Sequence, residues 1–144
     1  MAAKAGIISN PNKYFVKPKI LIIDDNAATR RLIEMTLNVD SYQIVQAANG
    51  LDGVRLAKET VPDLVLLDIN MPGGISGLSV CDILKSLVVL AKTPVVMLSG
   101  NEEEIYEIMS YNLGAAAFVH KPFTPYGLLE TIKEFLPYDL TQKE

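Results

Sequence analysis

Two hydrophobic rhythms alternate along this chain from Lys19 onward. Continuous apolar runs lie at positions 20–23, 64–67 and 94–98, with weaker ones at 42–45 and 116–119. Runs this short, and this rich in Val, Ile and Leu, suit strands covered on both faces. Between them the apolar residues repeat at helical spacing. Val80, Ile83, Leu84, Leu87 and Val88 fall at i, i+3, i+4, i+7 and i+8, and Ile105, Ile108, Met109 and Leu113 repeat the stripe. Leu128, Ile132, Phe135 and Leu136 form another. Ala28, Leu32 and Met35, then Val54, Ala57 and Val61, mark the two remaining helices.

The punctuation agrees with this division. Asn26 is placed to cap the first helix. Asn101 with Glu104 three residues on reads as a capping box, and Thr124-Pro125 as an N-cap followed by proline at the first helical position. Gly114 sits where a helix should end. Strands and helices in strict alternation predict an α/β domain, with a five-stranded parallel sheet, helices on both faces and right-handed crossovers. Residues 1–18 contain the breakers Asn10-Pro11-Asn12 and Lys17-Pro18 and no apolar period, so they read as a mildly basic, solvated extension. The domain is expected over 19–137, and 138–144 form a short tail.

Composition narrows the class. A chain of 144 residues forms one domain that folds without a structural metal or disulfide. Its one cysteine, Cys81, fits a reducing compartment and a packed position on the third helix. With 13 Lys+Arg against 17 Asp+Glu, the net charge of −4 argues against a domain that grips nucleic acid by its phosphates. No apolar run approaches the ~18 residues of a membrane span, and residues 1–10 lack the apolar stretch of a secretory signal. The expectation is a cytoplasmic domain with neither direct nucleic acid binding nor membrane insertion.

The polar residues then become informative. The first strand runs into Asp24-Asp25, the third into Asp68 and the fourth into Ser99, and Lys121 follows the fifth. A parallel sheet places all its carboxyl ends along one edge, and doubly wound sheets bind ligands where strand order reverses. In the order 2-1-3-4-5 that point lies between strands 1 and 3, so Asp24, Asp25 and Asp68 meet in one cleft. Two like charges about 4 Å apart cost roughly 1 kcal/mol in water and about 4 at an effective dielectric near 20. Such a cluster needs a proton or a cation. An all-oxygen donor set with few protein ligands suits Mg²⁺, which keeps several waters and shares a phosphate readily. A cation and Lys121 would leave one carboxylate free to attack phosphorus as an aspartyl nucleophile.

Read together, these residues resemble the receiver domains of two-component response regulators, over residues 19–137. The marks are Asp24-Asp25-Asn26 with Arg30, the segment Asp68-Ile69-Asn70-Met71-Pro72 with a following Gly77, Ser99-Gly100, and Phe118 three residues before Lys121-Pro122-Phe123. The resemblance implies a flavodoxin-like doubly wound (βα)5 fold of strand order 2-1-3-4-5. It implies that Asp68 is the phosphoacceptor, charged by a sensor histidine kinase or a histidine phosphotransfer protein. Asp24, Asp25, Asp68 and the backbone carbonyl of Asn70 would hold Mg²⁺, with Mn²⁺ as a substitute and Asp24 acting mainly through a metal-bound water. Lys121 would hold a phosphoryl oxygen. Ser99 would hydrogen-bond the phosphoryl group and move toward it, and Phe118 would turn inward as the switch aromatic. Asn70 and Asn101 would tune hydrolysis, and the Lys121-Pro122 bond would be cis. Such a domain is not an enzyme in the usual sense, since it catalyses only its own phosphorylation and dephosphorylation. No recognisable output domain follows residue 137, so the expectation is a stand-alone receiver. Its output would be phosphorylation-dependent binding of a downstream protein on the face of the fourth helix, fifth strand and fifth helix.

Two features depart from the pattern. The usual glycine lies eight residues after the acceptor, where this chain has Ser76, and glycine arrives at Gly77. The Gly73-Gly74 pair suggests one extra residue in that loop. The switch aromatic is Phe, so switching would act through packing alone.

Blander readings stand beside these. Asp24-Asp25 alone reads as a solvated strand end, Asp68 as a turn residue and Ser99-Gly100 as an ordinary turn. His120 neighbours Lys121 and so points to the other side of its strand. A pseudo-receiver that docks without ever carrying phosphate keeps the same fold. A phosphatase similar to the haloacid dehalogenase class needs an Asp-x-Asp nucleophile motif, and Asp68-Ile69-Asn70 lacks the second acid. A flavodoxin needs a phosphate-friendly first loop, which Asp24-Asp25 would repel.

Overall fold

The computed structural model describes residues 17–37 and 41–136. The predicted extension and tail lie largely outside them. Strands β1 (Lys19–Ile23), β2 (Gln43–Ala47), β3 (Leu64–Asp68), β4 (Val95–Ser99) and β5 (Ala117–His120) alternate with helices α1 (Ala27–Thr36), α2 (Gly50–Thr60), α3 (Gly77–Ser86), α4 (Glu104–Asn112) and α5 (Pro125–Phe135). All strand pairs are parallel, and the sheet order is β2-β1-β3-β4-β5. This is the predicted doubly wound, flavodoxin-like arrangement. Pro18 is buried, and its carbonyl accepts a hydrogen bond from the Gln43 N–H (2.9 Å), so sheet contacts begin just before β1.

Strand alternation sorts the core into two halves. Leu21, Ile23, Val65, Leu67 and Met97 pack with Val80, Cys81 and Leu84 of α3. Ile20, Ile22, Leu64, Leu66, Val96 and Leu98 pack with Ile33 of α1 and Leu128 and Ile132 of α5. Because β1, β3 and β4 are covered on both faces, nearly every residue in them is apolar.

The caps form at three predicted ends. Asn26 accepts from the Thr29 N–H at 3.0 Å, Thr124 from the Gly127 N–H at 2.9 Å, and Gly114 ends α4 at φ +103°. The predicted capping box does not form. Asn101 Oδ1 accepts from the Glu103 N–H at 2.8 Å, the N-cap is Glu103, and its side chain makes no cap bond. The chain turns on Asn101 before the helix begins.

Two helices, α1 and α4, present faces other than those their stripes predicted, whereas α2 keeps its predicted Val54 and Ala57 toward the core. In α1, Leu32 and Met35 are exposed and Ile33 is buried, with Leu37 beside it in the core. Apolar residues are sparse in this helix, and packing against α5 chooses the Ile33 side. Val61 lies past α2 in a left-handed C-cap at φ +45°. The buried residues of α2 are Gly50, Gly53 and Ala57, small enough for the helix to lie against the sheet; a Cβ on Gly53 would come 2.5 Å from Ile23 Cδ1. In α4, Ile105, Ile108 and Met109 are exposed, and Ser110 is buried instead. Val88 belongs to a 3-10 turn, Val88–Leu90, that follows α3 and buries Leu90.

Candidate functional site

The carboxyl ends of β1 and β3 carry the chemistry. Asp24 follows Ile23 directly and is fully buried, Asp68 closes β3 and is 4 % exposed, and Asp25 is exposed. Carboxylate oxygens of Asp24, Asp25 and Asp68 all lie within 4.8 Å of one another. The switch in strand order places them together, with the first helix leaving on one side of β1 and the third on the other side of β3.

Several bonds hold this edge in place. The Asp24 N–H donates to Ala47 O (3.1 Å), and Asp24 Oδ1 accepts from the Asn26 N–H (2.8 Å). Arg30 Nη1 donates to Asp24 O at 2.7 Å while its Nε donates to Gln46 Oε1 at 3.2 Å, tying α1 to both β1 and β2. Arg30 entered the sequence reading only as a mark of resemblance. Gln46 carried no signal, because its role exists only once β2 lies beside β1.

Lys121 reaches in from beyond β5. Its Nζ donates to Asp24 Oδ2 at 2.9 Å and to Asp68 Oδ1 at 3.1 Å. The Lys121 N–H donates to Ser99 O at 2.7 Å, and the Lys121-Pro122 bond is cis, as the resemblance implied. Desolvation disfavours the Lys121 ammonium, but the hydrogen bond and charge of Asp24, with the charge of Asp68, outweigh it and raise its pKa. Burial pushes the Asp68 carboxyl up to about 6, and the Asp24 charge adds to the rise; Lys121 and the Asn70 N–H oppose it. The cluster is therefore short of positive charge. An all-oxygen acid trio with only one ammonium fits a divalent cation better than it fits a monovalent partner.

The remaining predicted residues surround this centre. Ser99 is fully buried at the end of β4, and its Oγ accepts from the Asn101 N–H at 3.0 Å. Asn70 is exposed beside Asp68. Phe118 is partly buried against the α3-side core, and its ring meets His120 edge-on at 5.1 Å. His120 is exposed, and its Nε2 lies 3.7 Å from Glu107 Oε1. Cys81 is buried, its pKa pushed up to about 11 by desolvation, which leaves it inert as a thiolate. Among the described residues, every buried side-chain polar atom has a partner.

The glycine at position 77 packs directly against the end of β3. The Gly77 N–H donates to Ile69 O at 2.9 Å, and a Cβ there would collide with the Asp68 carbonyl and come 2.6 Å from Ile69 Cα. Only glycine lets α3 start this close to the strand end. Ser76 caps the helix, and the extra length sits in the loop where Gly73 adopts φ +88°.

The fold and its site define a doubly wound α/β domain with three acids at the switch point and a lysine bridging two of them. The family model for the response regulator receiver domain matches residues 20–133, and the chain belongs to that family. It is 35% identical over 118 residues to the transcriptional regulatory protein ResD of Bacillus subtilis (strain 168), covering 82% of this chain and 48% of that one. It is likewise 35% identical over 120 residues to the probable transcriptional regulator ycf27 of Porphyridium aerugineum, covering 83% and 48%. The chain thus spans about half the length of these relatives. Among solved structures, it is similar to the Vibrio cholerae chemotaxis protein CheY4 (TM-score 0.78, 26% identity, 83% of this chain and 99% of that one). It is also similar to a CheY-like receiver domain protein of Methanospirillum hungatei JF-1 (TM-score 0.79, 27% identity, 89% and 100%). Among the described residues no helix is long and apolar enough to cross a membrane.

Proposed function

We propose that the chain is a phosphorylatable signalling receiver whose acceptor is Asp68. The observation that carries this reading is the Lys121 ammonium, hydrogen-bonded to both Asp24 and Asp68 beside the acid trio. A carboxylate oxygen of Asp68 bonds to phosphorus as the P–N bond of a partner's phosphohistidine breaks, and the electron pair leaves with the imidazole. The partner is a sensor histidine kinase or a histidine phosphotransfer protein. Asp24, Asp25, Asp68 and the Asn70 carbonyl are the groups that would hold Mg²⁺ or Mn²⁺. Bound there, the cation would supply positive charge that favours ionised Asp68 and offsets charge on the phosphoryl oxygens. Lys121 already points at the acceptor and orients a phosphoryl oxygen. Ser99 exchanges its bond to the Asn101 N–H for one to the phosphoryl group, and Phe118 repacks. Asn70 and Asn101 flank the acceptor and set access of hydrolytic water.

The test is incubation with acetyl phosphate and Mg²⁺, read by intact mass. A single adduct that is absent in Asp68→Asn and without Mg²⁺ is expected. No adduct on the wild type, with partner binding unchanged by beryllofluoride, would identify a docking module that never carries phosphate. Output through α4, β5 and α5 to a downstream protein completes the proposal. Localisation to the cytoplasm follows from the location of such kinases' phosphodonor domains.

A further inference from the structure

The apolar stripe of α4 faces solvent. Ile105, Ile108 and Met109, at i, i+3 and i+4, are 51 %, 48 % and 40 % exposed, whereas Ser110 behind them is fully buried. Side chains of this size at helical spacing on one surface make a helix face that has no partner among the described residues. The charged residues of α4 and of the turn before it are all acidic, with His120 of β5 lying 3.7 Å from Glu107. Glu102, Glu103 and Glu104 are exposed at the start of the helix, Glu107 lies one turn on, and α4 contains no Lys or Arg.

Resting on the output face proposed above, we propose that α4 docks a separate protein through a cationic amphipathic segment. That segment carries apolar side chains along one helix face, flanked by Lys or Arg. The apolar centre supplies the burial on contact, while the carboxylate rim speeds encounter, sets register and rejects acidic segments. A second copy of this chain is a poor occupant. Two-fold pairing of the face would set Glu102, Glu103 and Glu104 against a surface with the same acids and no α4 cation to answer them.

The experiment uses the full chain and two synthetic helical peptides. They share one Leu pattern at i, i+3, i+4 and i+7; one is flanked by Lys and Arg, the other by Glu. Anisotropy titrations and amide shift mapping are run with and without beryllofluoride and Mg²⁺. The cationic peptide should bind with shifts centred on α4, weaken as salt rises, and leave the Glu peptide unbound. Ile105→Ser with Ile108→Ser, and separately Glu103→Lys with Glu104→Lys, should each weaken it by about tenfold or more. Both double variants change exposed positions and should keep wild-type labelling of Asp68 by acetyl phosphate. Equal binding of both peptides, or shifts centred away from α4, overturns the proposal. So does a dimer in sedimentation that the same variants dissolve, or α4 shifts produced by removing residues 1–16. Labelling is followed in the same samples. Loss of the label with peptide discrimination intact would sink the phosphoacceptor reading alone, and the reverse would sink this one alone.

Discussion

The middle of the sheet and its carboxyl edge lie at the same depth and obey opposite rules. Residues 20–23, 64–67 and 95–98 are at most 1 % exposed and entirely apolar; one position further on, Asp24, Asp68 and Ser99 are at most 4 % exposed and polar. In the middle, burial lowers the free energy by roughly 25 cal/mol for each Å² of apolar surface removed from water. At the edge, burial raises it, and one ammonium shared between Asp24 and Asp68 offsets only part of the cost. The strand geometry is continuous across the boundary, so the difference lies in side-chain chemistry. The edge gives up stability to keep charge at the carboxyl ends of the strands, and the apolar rows make that tolerable.

The sharpest way to probe the contrast is to alter each region and compare signs. Leu66→Ala, in the middle of β3, should destabilise by about 2–5 kcal/mol in urea unfolding, since a fully buried side chain leaves a cavity. A smaller loss would mean that the rows relax around a vacancy. Gly77→Ala lies at the boundary. It should cost on the order of 2–3 kcal/mol and slow Asp68 labelling, because its Cβ meets backbone. Wild-type stability with wild-type labelling would show that α3 can back away freely.

At the edge the sign should reverse. The folded pKa of Asp68, about 6, lies above its ordinary 3.8, so folding favours the protonated form. Metal-free stability from this group is therefore present at low pH and lost as pH rises through about 4 to 6. Asp68→Asn cannot ionise and should be more stable than wild type at pH 7 by on the order of 2 kcal/mol, with the difference vanishing below about pH 4. Added Mg²⁺ should then stabilise wild type more than the variant. Equal stability across the whole pH range would remove the claimed penalty. Lys121→Met should raise the Asp68 pKa further, by about one unit in a carboxyl NMR titration, because it removes the charge and hydrogen bond that hold it down. The smallest effect belongs to a third region. Ile108→Ser should change stability by no more than about 0.5 kcal/mol, since this side chain already faces water.

Much of this was legible in the chain because the strand signal is local. Uninterrupted Val, Ile and Leu runs mark strands covered on both faces whatever packs on them. A polar residue closing such a run marks the edge, which is how Asp24, Asp68 and Ser99 stood out. Helix existence was equally plain, but helix orientation was not. α4 and α5 carry similar apolar periods; Leu128 and Ile132 turn inward while Ile105 and Ile108 turn outward. Periodicity shows that a face exists and not what it meets. For α1 the stripe was too sparse, and Ile33 prevailed over Leu32 and Met35 through its contact with the α5 side of the core.

Local pattern and turn chemistry thus determined the order and type of the elements and the placing of acids at strand ends, because each depends on neighbours within a few positions; parallel pairing followed from the strict alternation of strands and helices. Tertiary structure alone decided that Lys121, 97 residues from Asp24 and 53 from Asp68, would bring one ammonium to both. It also decided that Arg30 would find Gln46, and that α4 would leave its apolar side in water. Those outcomes depend on distances between groups far apart in the chain, which exist only after the sheet has closed and the helices have packed.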